Sequence, residues 1–239
     1  MQLLILKVGS TVDNLLVTRG DFADWFRDGL GYAADEITVL DPPAGDPLPD
    51  PERAPPTVVT GSPAMVTDEA PWSLACERWI ERFVDRADRT PLLGVCYGHQ
   101  LLARALGGTV GDQPNGREIG TCRVELTEDG QASELFAGLP SELMVQSSHQ
   151  QSVLALPAGA RHLAHNAHDA HQAFCFGSNA FGVQFHPEFD AGISRGYLTA
   201  RADALRAEGL DPDRLLGEVA ESEHGPKLLQ NFRRICDDR

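Results

Sequence analysis

Residues 92–108, LLGVCYGHQLLARALGG, set a short apolar strand against a helix and place one cysteine between two glycines at the junction. In Gly94-Val95-Cys96-Tyr97-Gly98 the positions two before and two after the cysteine lack side chains. The chain can therefore reverse sharply and present the sulfur at the tip of the turn, the spacing of a G-x-S-x-G nucleophile elbow. Behind it, Leu101, Leu102, Ala105 and Leu106 form an apolar helical face that Gly107-Gly108 terminates. Cys96 thus stands at a helix N-terminus, where backbone amides favour thiolate over thiol. The other cysteines, Cys76, Cys122, Cys175 and Cys236, read as small core hydrophobes. Cys76 lies on the helical stripe Trp72, Ala75, Cys76, Trp79, Ile80 and Phe83.

A second element, FGVQFHPEF at residues 181–189, is an apolar strand ending in His186-Pro187-Glu188. In extended chain, residues i and i+2 face the same side, so Glu188 can reach the imidazole of His186 and fix its tautomer. A thiol nucleophile needs a base, and the base needs an orienting partner. Cys96, His186 and Glu188 supply those three roles. A competing arrangement, known among other thiol enzymes with cysteine elbows, sets a carboxylate from elsewhere in the sheet directly against the sulfur.

Around these motifs, apolar strands alternate with helical patterns: strand near 3–8, helix 22–30, strands 37–40 and 57–59, helix 72–87, strand 92–95. The alternation predicts an α/β fold with a mostly parallel central sheet flanked by helices, ligands binding at the strand ends. Residues 41–56 are rich in proline and read as a rigid surface loop, since one sheet is completed only with strands from both sides of them. Residues 1–239 are expected to form a single domain.

The chain resembles the class I glutamine amidotransferases, of the free-standing type similar to the amidotransferase domain of GMP synthetase. The resemblance rests on GVCYGHQ and QFHPE, supported by GDFADWF (20–26), VVTGSP (58–63), NGREIG (115–120), SSHQQSV (147–153) and GPKLLQNF (225–232). It implies a flavodoxin-like fold, Cys96 as nucleophile, His186 as general base and acid, and Glu188 as its orienter. It also implies an oxyanion hole from the backbone amides of Ser62 and Tyr97, with Gly61, Gln100, Ser148 and His149 at the substrate. Two positions depart from the family pattern: Ser62 stands where glycine is usual, and Ser148-His149-Gln150-Gln151 replaces S-H-G-D.

The expected activity is hydrolysis of the glutamine side-chain amide through a thioester, donating ammonia to an acceptor synthase on a separate chain. No G-x-x-x-x-G-K-[ST] phosphate loop is present to supply an ATP-using step. The alternatives are a free-standing hydrolase of γ-glutamyl peptides or conjugates, and a catalytically silent regulatory module. The last is disfavoured because all three triad residue types are present. No metal or organic cofactor is required by this chemistry.

Composition narrows the partners. Lys plus Arg number 20 against 35 Asp plus Glu, a net charge of −15, which opposes attachment to nucleic acid or acidic membranes. No segment approaches the roughly 18 apolar residues of a membrane helix. Five cysteines without paired spacings outline neither a disulfide framework nor a zinc site, which fits a reducing cytoplasm. His162, His165, His168 and His171 recur at intervals of three, matching neither a strand face nor a helix face. With 166–170 as a turn between strands 162–164 and 173–176, they are expected to be solvated, mutually dispersed and free of metal.

Overall fold

Successive side chains of a strand point to opposite faces, and the first strand shows how this builds the layers. The computed structural model describes residues 3–238. In β1 (Leu3–Leu6), Leu3 and Ile5 pack with Phe26 and Phe232 on one face, while Leu4 and Leu6 pack with Ile80 and Leu101 on the other. A strand apolar at every position is one covered on both sides.

Five strands run parallel in the order β2 (Ile37–Leu40), β1, β3 (Thr57–Val59), β4 (Leu92–Val95) and β11 (Ala180–Val183). Beyond β11 the sheet continues antiparallel through β10 (Ala173–Phe176), β9 (Arg161–His165), β6 (Glu118–Leu126) and β7 (Glu142–His149). The change has a simple cause: residues 177–179 alone join β10 to β11, and a parallel crossover needs a dozen residues or more. A separate ribbon pairs β5 (Thr109–Asp112) with β8 (Gln151–Ala155). The far end of the main sheet curls back, so that Gln146 of β7 forms an antiparallel bridge with His186 just past β11.

Helices α2 (Phe22–Leu30) and α9 (His224–Asp237) cover one face; α3 (Pro71–Val84) and α4 (Tyr97–Ala105) cover the other. A reciprocal Asp21–Asp24 capping box opens α2, and Gly31 in left-handed conformation closes it. Helix α3 stops three residues before the expected 87, where its apolar stripe ends at Phe83. Of the remaining helices, α1 (Asp13–Arg19) and α6 (Ala191–Ala200) gather with α2 around Phe22, Phe189 and Tyr197. The short α5 (Glu128–Gln131), α7 (Ala202–Ala207) and α8 (Pro212–Glu218) complete the periphery. The proline-rich segment is tied to α3 and the residues after it: Trp79 Nε1 donates to the Pro49 carbonyl at 2.7 Å, and Arg86 Nη1 to those of Pro51 and Ala54 at 2.9 and 2.6 Å.

Candidate active site

Cys96 joins β4 to α4 with φ 51° and ψ −100°, a backbone state that costs a non-glycine residue about 1–3 kcal/mol. It is braced from both neighbouring strands: Cys96 N–H donates to the Val183 carbonyl at 2.9 Å, and Gly98 N–H to that of Thr60 at 3.2 Å. The two glycines of the motif are required by close approach. A Cβ on Gly98 would lie 2.2 Å from the Val59 carbonyl oxygen, and one on Gly94 2.4 Å from that of Gly98. The Tyr97 amide opens α4 and therefore has no intrahelical acceptor. The Cys96 sulfur points toward the Ser148 carbonyl, 3.9 Å away.

β11 lies parallel to β4 with Val183 beside Val95, so both motifs emerge at the same, carboxyl, edge of the sheet. His186 N–H donates to the Gln146 carbonyl at 2.8 Å, and Phe189 stacks on the imidazole at a centroid distance of 4.0 Å. Nδ1 of His186 donates to Glu188 Oε1 at 2.7 Å, with both side chains buried. Burial alone pulls the imidazole down, but the charges of Glu188 and Cys96, with hydrogen bonds to both, hold it up at about 10. Gly61 leaves the space this ring needs, since a Cβ there would stand 2.8 Å from His186 Cε1.

Two recesses meet at the sulfur. A cavity of about 570 Å³ is lined by Thr11, Phe22, Cys96, His186, Tyr197 and Arg201. A much smaller one is lined by Tyr97, Gln100, Arg117, His149 and Gln151, and both share Ser62, Cys96, Ser148 and Arg201. Gln100 and His149 are held by the protein itself. Gln100 Nε2 donates to the Gln151 carbonyl at 2.6 Å and to Gln184 Oε1 at 3.0 Å. His149 Nδ1 and Nε2 are engaged at 3.0 Å by the Gln151 carbonyl and Glu118 Oε2, so His149 meets the recess without a free ring nitrogen.

A family model for class-I glutamine amidotransferases matches residues 52–201, the span that carries β3, the elbow, Ser148 and the His186 motif. The chain belongs to the class I glutamine amidotransferase family. It is 40% identical over 190 residues to a glutamine-hydrolysing GMP synthase of Syntrophomonas wolfei, covering 77% of this chain and 32% of that relative. The chain thus spans about a third of that relative's length. It is 30% identical over 164 residues to one subunit of a glutamine-hydrolysing GMP synthase from Pyrococcus abyssi, covering 68% of each. A crystal structure of a glutamine amidotransferase from Thermotoga maritima superposes with a TM-score of 0.76 at 26% identity, covering 100% of this chain and 99% of that one.

In this amidotransferase the substitution at the S-H-G-D position has a local explanation. Gln151 Nε2 donates to Asp112 Oδ1 at 3.0 Å and to Thr67 Oγ1 at 2.7 Å; an aspartate there would set two carboxylates against each other. Glu118 was singled out by no sequence signal of its own, although it lies within NGREIG. Burial would raise its carboxyl, but His149, Asn166 and Gln172 bond it and hold it below the usual range.

The histidine series departs from expectation. The rings of His162, His165 and His171 gather, with centroids 5.8 Å (His162–His165) and 5.4 Å (His162–His171) apart. The turn folds β9 against the approach to β10 and carries His171 back over His162. His162 Nε2, His168 Nε2 and His171 Nδ1 donate to the carbonyls of Ala164, Gly116 and Val153 at 3.0, 3.0 and 2.6 Å. Among the described residues, no three His, Cys, Asp or Glu side chains converge as ligands of one ion, and no helix is long and apolar enough to cross a membrane.

Proposed function

We propose that the protein hydrolyses the γ-amide of a glutamyl substrate, glutamine first, through Cys96, His186 and Glu188. The observation that carries this reading is the imidazole bonded to Glu188 on one side and interacting with Cys96 on the other, at the rim of a cavity. The Cys96 thiolate attacks the amide carbon, and the oxyanion is received by the amides of Tyr97 and Ser62. Loss of such a donor typically costs about 3–4 kcal/mol of barrier. His186 passes its proton to the departing nitrogen, leaving a thioester on Cys96. It then takes a proton from water, whose oxygen attacks the thioester carbon, and glutamate leaves with Cys96 restored as thiolate. Ammonia passes to a synthase component outside these residues, as the name of the Pyrococcus relative, one subunit of a synthase, suggests.

One observation favours a second reading, hydrolysis of larger γ-glutamyl compounds. The proton donor to the leaving group must stand beside it, and of the two recesses at the sulfur His186 lines the 570 Å³ cavity, far more room than ammonia requires. A screen of glutamine against γ-glutamyl peptides, reading ammonia and glutamate separately, decides between them. Ammonia release from glutamine, accelerated by a partner synthase, supports the first. Glutamate released from peptides with negligible glutaminase activity supports the second, and no turnover of either class sinks both.

A further inference from the structure

In a chain with 35 acidic and 20 basic residues, an arginine has carboxylates to choose from, and most arginines here take one. Arg201 does not. It sits between α6 and α7 and lines both recesses beside Cys96. Among the described residues no carboxylate pairs with its guanidinium, and Nε is buried without an acceptor. Its ring contact is the face of Tyr197, 5.8 Å from Cζ. The nearby carboxylate, Glu208, is taken in a fork by Arg117, whose Nε and Nη2 donate to Oε2 and Oε1 at 2.8 and 2.9 Å.

We infer that Arg201 is a specificity residue that binds a carboxylate of the substrate at the junction of the two recesses. This rests on the γ-glutamyl amide reading above. A half-buried guanidinium with a buried Nε and no carboxylate bonded to it is left unsatisfied, and a ligand carboxylate is the group that satisfies it in paired geometry. Burial and the neighbouring Arg117 disfavour the charged guanidinium, Tyr197, Cys96 and Glu208 favour it, and an arriving carboxylate adds to the favourable side. The carboxylate has two possible sources. One is the α-carboxylate of the glutamyl part, on the Gln100 side; the other is a carboxylate on the leaving amine, on the His186 side.

The test measures binding by calorimetry in the Cys96→Ala protein, which holds ligands without consuming them. The probes are L-glutamine and its α-carboxamide, and γ-glutamylglycine and its C-terminal amide. Each acid should bind more tightly than its amide at the end Arg201 reads, and Arg201→Met should abolish that preference, a change on the order of tenfold to a hundredfold. Arg201→Lys should retain part of it. A preference within the glutamine pair assigns the α-carboxylate; one confined to the dipeptide pair assigns the leaving amine. Equal binding of acids and amides, no binding of any probe, or a preference that survives in a folded Arg201→Met or Arg201→Lys protein with none of it lost overturns the inference. Hydrolysis by the protein with Cys96 intact is read in parallel. Its absence alongside an Arg201-dependent preference removes the catalytic reading and leaves Arg201 standing, whereas hydrolysis indifferent to Arg201 does the reverse.

Discussion

Cys96 and Cys76 are both buried, yet their surroundings differ. Burial, reinforced by Glu77, pushes the Cys76 thiol up to about 12, so it stays protonated and inert at neutral pH. Cys96 instead faces the cavity and an imidazole held in its charged form. Iodoacetamide at neutral pH should therefore label Cys96 and leave Cys76 unmodified, as mapped by peptide mass spectrometry. Cys96→Ala should abolish turnover, while Cys76→Ala retains it; wild-type hydrolysis by Cys96→Ala would remove the sulfur from the mechanism. At His186 the charge of Glu188 opposes the burial that pulls the imidazole down. Glu188→Gln keeps the shape and deletes that charge, so the His186 titration followed by NMR should move to lower pH, with turnover falling about 10²–10⁴-fold. An unmoved titration would mean that Glu188 does not set the imidazole.

At the level of elements, the elbow is where a single methyl group matters. Gly98→Ala drives a Cβ toward the Val59 carbonyl, which is backbone and cannot rotate away. The expected loss is about 1–3 kcal/mol, read from the urea midpoint, together with a drop in activity because Cys96 is displaced. An unchanged midpoint would show that β3 and α4 can separate freely. This part of the fold was legible in the sequence: Gly94, Cys96 and Gly98 state their close approaches locally, and His186-Pro187-Glu188 states its two-residue reach. The strands β1 to β4 announce themselves by apolar runs between helices. What was not legible depends on contacts far apart in the chain. Glu118 acquires its meaning from His149, Asn166 and Gln172, and the bridge from Gln146 to His186 from the curl of β7. The gathering of His162 with His171 depends on the pairing of β9 with β10, which residue spacing alone does not fix. Arg201 follows a helix with no motif around it, and only the absence of a carboxylate at its guanidinium draws notice.

For the whole molecule, two buried histidines bracket the pH range of stability. Burial drives His99, enclosed by Phe174 and Gly182, down to about 4, so the folded state favours its neutral form. That contribution is complete above the unfolded value near 6.5 and is lost as pH falls toward 4, amounting to roughly 3 kcal/mol. His186 has the opposite sign: raised to about 10, it contributes fully below 6.5 and loses its contribution as pH climbs through 10. Unfolding free energy from urea titrations should fall on both sides of neutrality. His99→Asn should flatten the difference between pH 7 and pH 4.5 whatever its absolute stability, and an acid limb as steep as wild type would exclude His99 as its source. The pairing of β4 with β11 also bears on time. Cys96 and His186 follow the carboxyl ends of adjacent strands but stand ninety residues apart in sequence, and the Val183 carbonyl that braces the elbow is nearly as remote. Closing so distant a parallel pairing is intrinsically slow. On a ribosome the Cys96 sulfur emerges long before the His186 imidazole. On the proposed mechanism, chemistry begins only when β11 docks, in one event that must wait for residues 180–183 to leave the ribosome.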